Sequence, residues 1–485
     1  MTLTKRIGLI LGPLFFVLIH LYFEGDGLSD QGRDILAATV WVGIWWVLEV
    51  LPIAVTALLP IILFPLLGTI SLGETTASYG HKYVFLFMGG FMLAVAIEKW
   101  GLHKRIALHI IKIIGTNIYT IVLGFMVATA FLSMWISNTA TTVMILPMAV
   151  SIITQFRKNQ SKENKSKDSF SKLLILSIAY AASIGGMATL IGTPPNLVFA
   201  GFVQKTYGID ISFWQWMQFG LPLATVLLML SWYYLTRFAY PQKEKSFPGG
   251  KAEINRLIKE LGPMKLEEQR VLVVFVLTAF CWITRSFLLQ RFIPNMDDTI
   301  IAIGSAVLLF ILPAVSKNRA LLVWNEAVRI PWGIILLFGG GMAIAKGFEE
   351  TGLASFLGSK MMFFDGLPLL IPLLLIITCV NFLTEITSNL ATTAMMLPVM
   401  APLALSLNVN PFLLLIACTT AASCAFMLPV ATPPNAIVFG SGYLRIPDMI
   451  RSGFLMNIIS IVIISLIIYF LLPLLWDLEG ILISD

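Results

Sequence analysis

Charge is what this 485-residue sequence has least of. Asp, Glu, Lys and Arg together make up 12% of it, against 58% hydrophobic residues. Soluble domains carry about 25% charged and about 45–50% apolar residues. A water-facing surface cannot be built from so few charges, so most of the chain must sit in lipid. A spanning helix needs about 20 apolar residues, which leaves room for roughly ten to twelve passes. Cysteine is scarce too. Cys281, Cys379, Cys418 and Cys424 lie in apolar stretches and form neither a CxxC nor a Cys/His cluster, which excludes a disulfide framework and a zinc site. No HExxH or GxSxG falls on a span, so a membrane-embedded hydrolase has no motif to stand on. No run interleaves Lys or Arg with aromatics, so nucleic acid is not a partner. The stretch from Ile7 to Leu21 follows Lys5 and Arg6 but has no small-residue cleavage site before Glu24 and Asp26. It reads as an uncleaved first span rather than a leader.

What is present is a succession of apolar stretches. Spans are expected near 7–22, 35–50, 52–68, 83–100, 118–136, 140–155, 172–191 and 212–236, then near 270–288, 299–315, 331–347, 367–387, 391–406, 411–430 and 450–474. A basic amphipathic piece, 102–114, carries His103, Lys104, Arg105, His109 and Lys112 and is expected to lie at the membrane face. A second such piece is expected over 349–363, and an interfacial helix over 257–268. The net charge of +6 sits mainly in loops. Residues 156–172 hold six Lys/Arg against Glu163 and Asp168, and 237–270 and 316–330 are basic as well. These loops belong on the cytoplasmic side. The loop 23–34 and the tail with Asp477, Glu479 and Asp485 are acid-leaning and belong outside. An N-terminus inside, a C-terminus outside and eleven crossings satisfy every loop if two further stretches re-enter as hairpins.

The two halves repeat. Phe87, Gly89, Gly90, Ala94, Gly101 and Leu102 recur 251 positions later as Phe338, Gly340, Gly341, Ala345, Gly352 and Leu353. Ser137-Asn138 recurs as Ser388-Asn389 at the same offset, as do the following Ala-Thr-Thr and Leu-Pro. Gly192-Thr193-Pro194-Pro195-Asn196 matches Ala431-Thr432-Pro433-Pro434-Asn435 at 239. The offset falls by 12, about the size of the polar insert KNQSKENKSKDS. The loop charges place the first hairpin's ends inside and the second's outside, so the repeats are inverted. Inverted repeats with broken membrane segments mark secondary transporters that bind cargo at the midplane.

The chemistry is expected where polar backbone meets lipid depth. Unpaired backbone there costs several kcal/mol per group and survives only against protein or a cavity. Two polar tips, Ser137-Asn138-Thr139 and Ser388-Asn389-Leu390, therefore argue for a shared polar cavity; the plainer alternative is interhelical packing through Ser, Asn and Thr. Each Thr-Pro-Pro-Asn breaks a span, freeing carbonyls that suit a cation and starting a half-helix whose N–H end suits an anion. Amides, hydroxyls and helix N-termini with few formal charges suit a small dianion. Glu385, three residues before Ser388, is read either as a functional acid or as half of an ion pair with Lys346.

The pieces MWISNTATTVMILP, TEITSNLATTAMMLP, IGTPPN and VATPPN resemble the paired Ser-Asn-Thr and Thr-Pro-Pro motifs of the divalent anion:sodium symporter family, in the right order and over nearly the whole chain. The resemblance implies an all-α polytopic fold of two inverted repeats, about eleven transmembrane helices and two re-entrant hairpins, working as a homodimer with a fixed scaffold and a transport domain that slides like an elevator. Its implied parts are scaffold helices over 1–80, a first repeat over 81–240, a cytoplasmic linker with scaffold helices over 241–330, a second repeat over 331–475 and an extracytoplasmic tail over 476–485. It implies substrate contacts at Ser137, Asn138, Thr139, Ser388, Asn389, Leu390, Thr432 and Pro433. A first sodium site would use Ser133, Ser137, Asn138 and the carbonyl of Gly192, and a second Thr384, Thr387, Asn389 and the carbonyl of Ala431. No cofactor and no enzymatic activity is implied; Na+ is the coupling ion to consider. The expected activity is carriage of C4 and C5 dicarboxylates (succinate, malate, fumarate, 2-oxoglutarate) across the plasma membrane, by sodium symport or by exchange. Citrate or sulfate is the alternative cargo. Leu390 departs from the family pattern, which has Thr there, and makes the pocket asymmetric.

Overall fold

The computed structural model describes residues 3–115, 117–158, 169–242, 249–315, 318–360 and 368–476. The polar insert at 159–168, the end of the second amphipathic piece at 361–363 and the acid-leaning tail from 477 onward lie outside the described residues. What is described is helical apart from one two-residue ribbon, Pro313–Ala314 against Arg319–Ala320. Nine helices among the described residues are long and apolar enough to cross a bilayer. Seven of them are not hairpin arms. Asp30–Val47, the shorter apolar helices Ile53–Leu66 and Asp298–Ile311, and the interrupted 411–440, counted with these seven, give eleven.

Each repeat contains a helical hairpin. In the first, Ile118–Ser133 is followed by Asn138–Lys158; in the second, Leu370–Thr384 is followed by Asn389–Ser406. The leading arms have 16 and 15 residues. At 1.5 Å per residue they reach about 24 Å, less than the roughly 30 Å hydrocarbon core. Asn117 starts the first with a reciprocal cap: its amide oxygen accepts from Thr120 N at 2.8 Å, and Thr120 Oγ1 accepts from Asn117 N at 3.1 Å.

Behind each hairpin lies an interrupted helix. Ser169–Gly186 is buried along nearly its whole length, because its Ala, Ser and Gly let neighbouring backbones come close. It breaks, and Pro194–Tyr207 begins anew. Pro411–Ala422 and Pro433–Gly440 repeat the pattern. The second halves are exchanged between repeats: Pro433–Gly440 packs on Asn138–Lys158 and Ser169–Gly186, while Pro194–Tyr207 packs on Asn389–Ser406 and Pro411–Ala422. The repeats therefore interlock at the breaks.

The amphipathic helix is observed at Leu102–Ile114, and its counterpart at Leu353–Lys360. Each is entered through a left-handed glycine, Gly101 at φ 74° and Gly352 at φ 72°, a bend that any Cβ would strain. The expected helix over 257–268 is instead two. Gly250–Leu261 stops at Gly262, with φ 66°, followed by Pro263, and Leu266–Thr284 starts afresh. Near residue 81 a polar seam joins distant segments. Lys82 Nζ lies 2.6 Å from Asp210 Oδ1 and 3.3 Å from Asp297 Oδ2. His81 Nε2 meets Gln204 Oε1 at 2.8 Å, and Phe213 N donates to Asp298 Oδ2 at 2.9 Å.

Candidate functional site

Both hairpins turn over the same four positions, Met134–Ser137 and Glu385–Ser388. Asn138 and Asn389 are already helical, so only the serine of each polar triplet belongs to the turn. The first helical turn is fixed by its own polar atoms. Thr141 N donates to Ser137 O at 3.0 Å and Thr142 Oγ1 to Asn138 O at 2.8 Å. In the second copy Thr392 N donates to Ser388 O at 2.8 Å and Thr393 Oγ1 to Asn389 O at 2.9 Å. The Ala-Thr-Thr after each Asn is what seats it.

The two tips and the two helix breaks line one cavity of about 720 Å³. Ser137, Asn138, Thr139, Ser388, Asn389, Leu390, Thr432 and Pro433 all border it, so the expected substrate residues are brought together. Four helix starts meet there: Asn138, Pro194, Asn389 and Pro433. Their N-terminal ends favour negative charge. Thr139 is exposed to the cavity, whereas Leu390 is buried, so at this position one tip offers a hydroxyl and the other does not. Ile53, Ala54, Gly333 and Leu337 also line the cavity. Glu49 is the one formally charged residue lining the cavity among the described residues, and it is acidic.

Beneath each tip oxygens converge. The Asn138 amide faces Ser133 Oγ at 2.6 Å, Ala182 O at 3.1 Å and Gly192 O at 3.2 Å. With its nitrogen inward it donates to all three. With its oxygen inward, four oxygens face a common point, an arrangement suited to a hard cation. In the second repeat Thr384 Oγ1 lies 2.8 Å from Asn389 Oδ1 and 2.8 Å from Ala422 O. Ser137 stands apart from the first cluster, where its Oγ accepts from Ala140 N at 3.3 Å. Thr387 Oγ1 meets Thr392 Oγ1 at 2.5 Å, and Ala431 lines the cavity.

Sequence reasoning missed the Ala182 and Ala422 carbonyls, which no side chain marks. It also missed the use of Asn196 and Asn435. Asn196 Nδ2 donates to Thr189 O at 2.7 Å and to Gly186 O and Met187 O at 3.3 Å. Asn435 Nδ2 donates to Leu428 O at 3.1 Å and Ala425 O at 3.2 Å. Each ties its half-helix back over carbonyls the break has freed, and the recurrence of Asn after both proline pairs was the available signal. The expected Glu385–Lys346 pair does not form. Lys346 sits 3.0 Å from Glu350 and 3.9 Å from Glu74. Glu385 instead accepts from Phe426 N at 2.7 Å, Met427 N at 2.9 Å, Leu428 N at 3.0 Å and Asn457 Nδ2 at 2.8 Å, because the unwound stretch offers donors nearer than any lysine.

A family model described as "Sodium:sulfate symporter transmembrane region" matches residues 3–477. The chain belongs to the divalent anion:sodium symporter family. Two similar symporter-family proteins are the sodium-dependent dicarboxylate transporters SdcS of Staphylococcus saprophyticus and of Staphylococcus aureus strain USA300. The first is 47% identical over 475 residues, covering 97% of this chain and 92% of the relative; the second is 45% identical over 97% and 91%. As a member of this family the chain is a multi-pass membrane transporter and not an enzyme. The fold also resembles two solved structures. The Alcanivorax borkumensis YdaH transporter has a TM-score of 0.62 at 14% identity, covering 91% of this chain and 99% of that one. Neisseria gonorrhoeae MtrF has a TM-score of 0.57 at 13% identity, over 97% and 96%.

Proposed function

We propose that this chain carries C4 and C5 dicarboxylates across the plasma membrane together with Na+, as one protomer of a homodimer in which a transport domain slides past a fixed scaffold. The observation that supports it most is the pairing of the tips: two Asn side chains and four helix N-termini border one cavity whose lining carries no Lys or Arg among the described residues. Two separated carboxylates match two separated tips. A tricarboxylate would bring a third charge with no cation to receive it and would meet Glu49. The sodium-dependent dicarboxylate transporters that share 45–47% identity favour symport over exchange. In this reading Asn138, Thr139, Ser388 and Asn389 hold the carboxylates, with Thr432 and Pro433 beside them. Ser133, Asn138 and the Gly192 carbonyl serve one Na+; Thr384, Asn389 and the Ala431 carbonyl serve the other, with Ser137 and Thr387 at their margins. Neutral oxygens suit an alkali cation that must bind and leave. The N-terminus lies in the cytoplasm and the C-terminus outside.

Uptake of labelled succinate into proteoliposomes tests this. Accumulation is expected under an inward Na+ gradient with no internal dicarboxylate, and none when choline replaces Na+. Uptake that needs internal dicarboxylate and ignores Na+ overturns symport in favour of exchange. No uptake in either condition overturns dicarboxylate carriage.

A further inference from the structure

Glu385 is a buried acid with no cationic partner among the described residues. It is 3% exposed, and no Lys or Arg among the described residues forms an ion pair with it. Oε1 accepts from Phe426 N, Met427 N and Asn457 Nδ2, and Oε2 from Leu428 N, all at 2.7–3.0 Å. Every partner is a donor, so the group is held as an acceptor-only carboxylate. The peptide units that offer these N–H groups turn their carbonyls the other way. Phe426 O accepts from Tyr180 Oη at 3.2 Å, and Ala425 O from Asn435 Nδ2. The unwound stretch 425–428 is thus pinned from both faces, three residues before Ala431.

The first repeat has no such anchor. Met134 occupies the matching position, and the link across its break is neutral: Thr189 Oγ1 donates to Met134 O at 2.5 Å and accepts from Gly192 N at 3.1 Å. One oxygen cluster therefore has a formal negative charge on the residue next to Thr384, and the other has none. We infer that Glu385 is a positioning residue that makes the cation site of the second repeat the tighter of the two and the first to fill. The carboxylate acts in two ways. It adds a negative charge, on the residue following Thr384, to a poorly screened interior, and it holds the unwound backbone so that its carbonyls need not be ordered when the ion arrives. Its own N–H partners offset part of the charge but cannot cancel it. This inference rests on the sodium sites of the proposed function and adds their inequality.

The test is a sodium titration of the purified full chain, without dicarboxylate, at constant ionic strength made up with choline. Tryptophan fluorescence and melting temperature are the readouts. The wild type is expected to show two sodium-dependent steps. Glu385→Gln moves the tighter step about tenfold or more to higher Na+ and leaves the weaker one in place, by the size of effect an adjacent opposite charge has on an ionic equilibrium. Glu385→Asp, which keeps the charge, recovers most of the affinity. Ser133→Ala removes the weaker step only. If Glu385→Gln does not fold, Asn457→Ala decides: it loosens the hold but keeps the charge, and shifts the tighter step about threefold. Tighter steps unchanged in the variants, or a shift confined to the weaker step, overturn the assignment while leaving the sodium sites standing. A wild type with no sodium-specific response overturns those sites and this inference together.

Discussion

The two hairpin tips are built on one plan and finished differently. Both turn over four residues, seat an Asn at the first helical position and pass it to an Ala-Thr-Thr. They differ in what surrounds the turn. At the first tip Trp135 lies in an aromatic ladder, 5.8 Å from Phe213 and 6.5 Å from Trp282. At the second, the matching Ile386 is 61% exposed. Met134 becomes Glu385, Thr139 becomes Leu390, and Gly192 becomes Ala431. Under the proposed function, duplicated backbone would supply two like ends for a two-ended cargo, while the side chains around the tips diverge: one tip is docked, the other anchored by charge.

The comparison breaks most sharply at the shared residues. Asn138→Ala and Asn389→Ala are each expected to lower succinate uptake by about 100-fold or more, since each removes a partner of a charged group, while the melting temperature stays near wild type. If only one does so, the tips are not equal partners. Gly192 and Ala431 come next. A Cβ on Gly192 would stand 2.5 Å from Gly186 O and 2.9 Å from Ser133 O, inside the closest contact a Cβ makes. Gly192→Ala is expected to destabilise by about 2 kcal/mol and to impair uptake, whereas Ala431→Gly should cost under about 1 kcal/mol; denaturant or thermal melts separate them. Equal costs would mean that the two breaks are packed alike. Trp135→Ala should cost about 3 kcal/mol through lost ring packing, against less than about 0.5 kcal/mol for Ile386→Ala, again by melts. The smallest effect is sought at Leu390. Leu390→Thr restores a hydroxyl to the second wall and is expected to change the ratio of succinate to malate KM by a few-fold. An unchanged ratio would mark the position as packing alone.

Much of this was legible in the sequence because a repeat shows twice whatever it shows once. The constant offset of 251 located both hairpins, and the Thr-Pro-Pro-Asn pair recurring at 239 located both breaks. Leu102–Ile114 was marked by its basic residues on an apolar frame and was found at the expected bounds. The elements that escaped depend on long-range backbone geometry. Nothing near Glu385 announces that its partners are amides some 41 to 43 positions away, and a lysine on another span looked equally near. The Ala182 and Ala422 carbonyls carry no sequence mark, since every residue has one. The triplets also read as loops, although Asn138 and Asn389 are helical; polarity pointed to a tip, but the threonines that follow decide where the helix starts.

Lys82 gives the seam near residue 81 a consequence for timing. Its ammonium reaches Asp210 and Asp297 at once with about a third of the side chain exposed. A displacement of the 204–213 bend relative to Lys82–Lys99 by more than an ångström or two severs the Lys82–Asp210 bridge and the His81–Gln204 bond in one step, and the Phe213–Asp298 bond with them where Asp298–Ile311 stays with Lys82–Lys99. Dissolved salt competes for the bridge within a Debye length of about 8 Å. The lifetime of this arrangement is therefore set in part by ambient electrolyte, and a kinetic record taken in dilute buffer would time a stickier clasp than one taken at physiological salt.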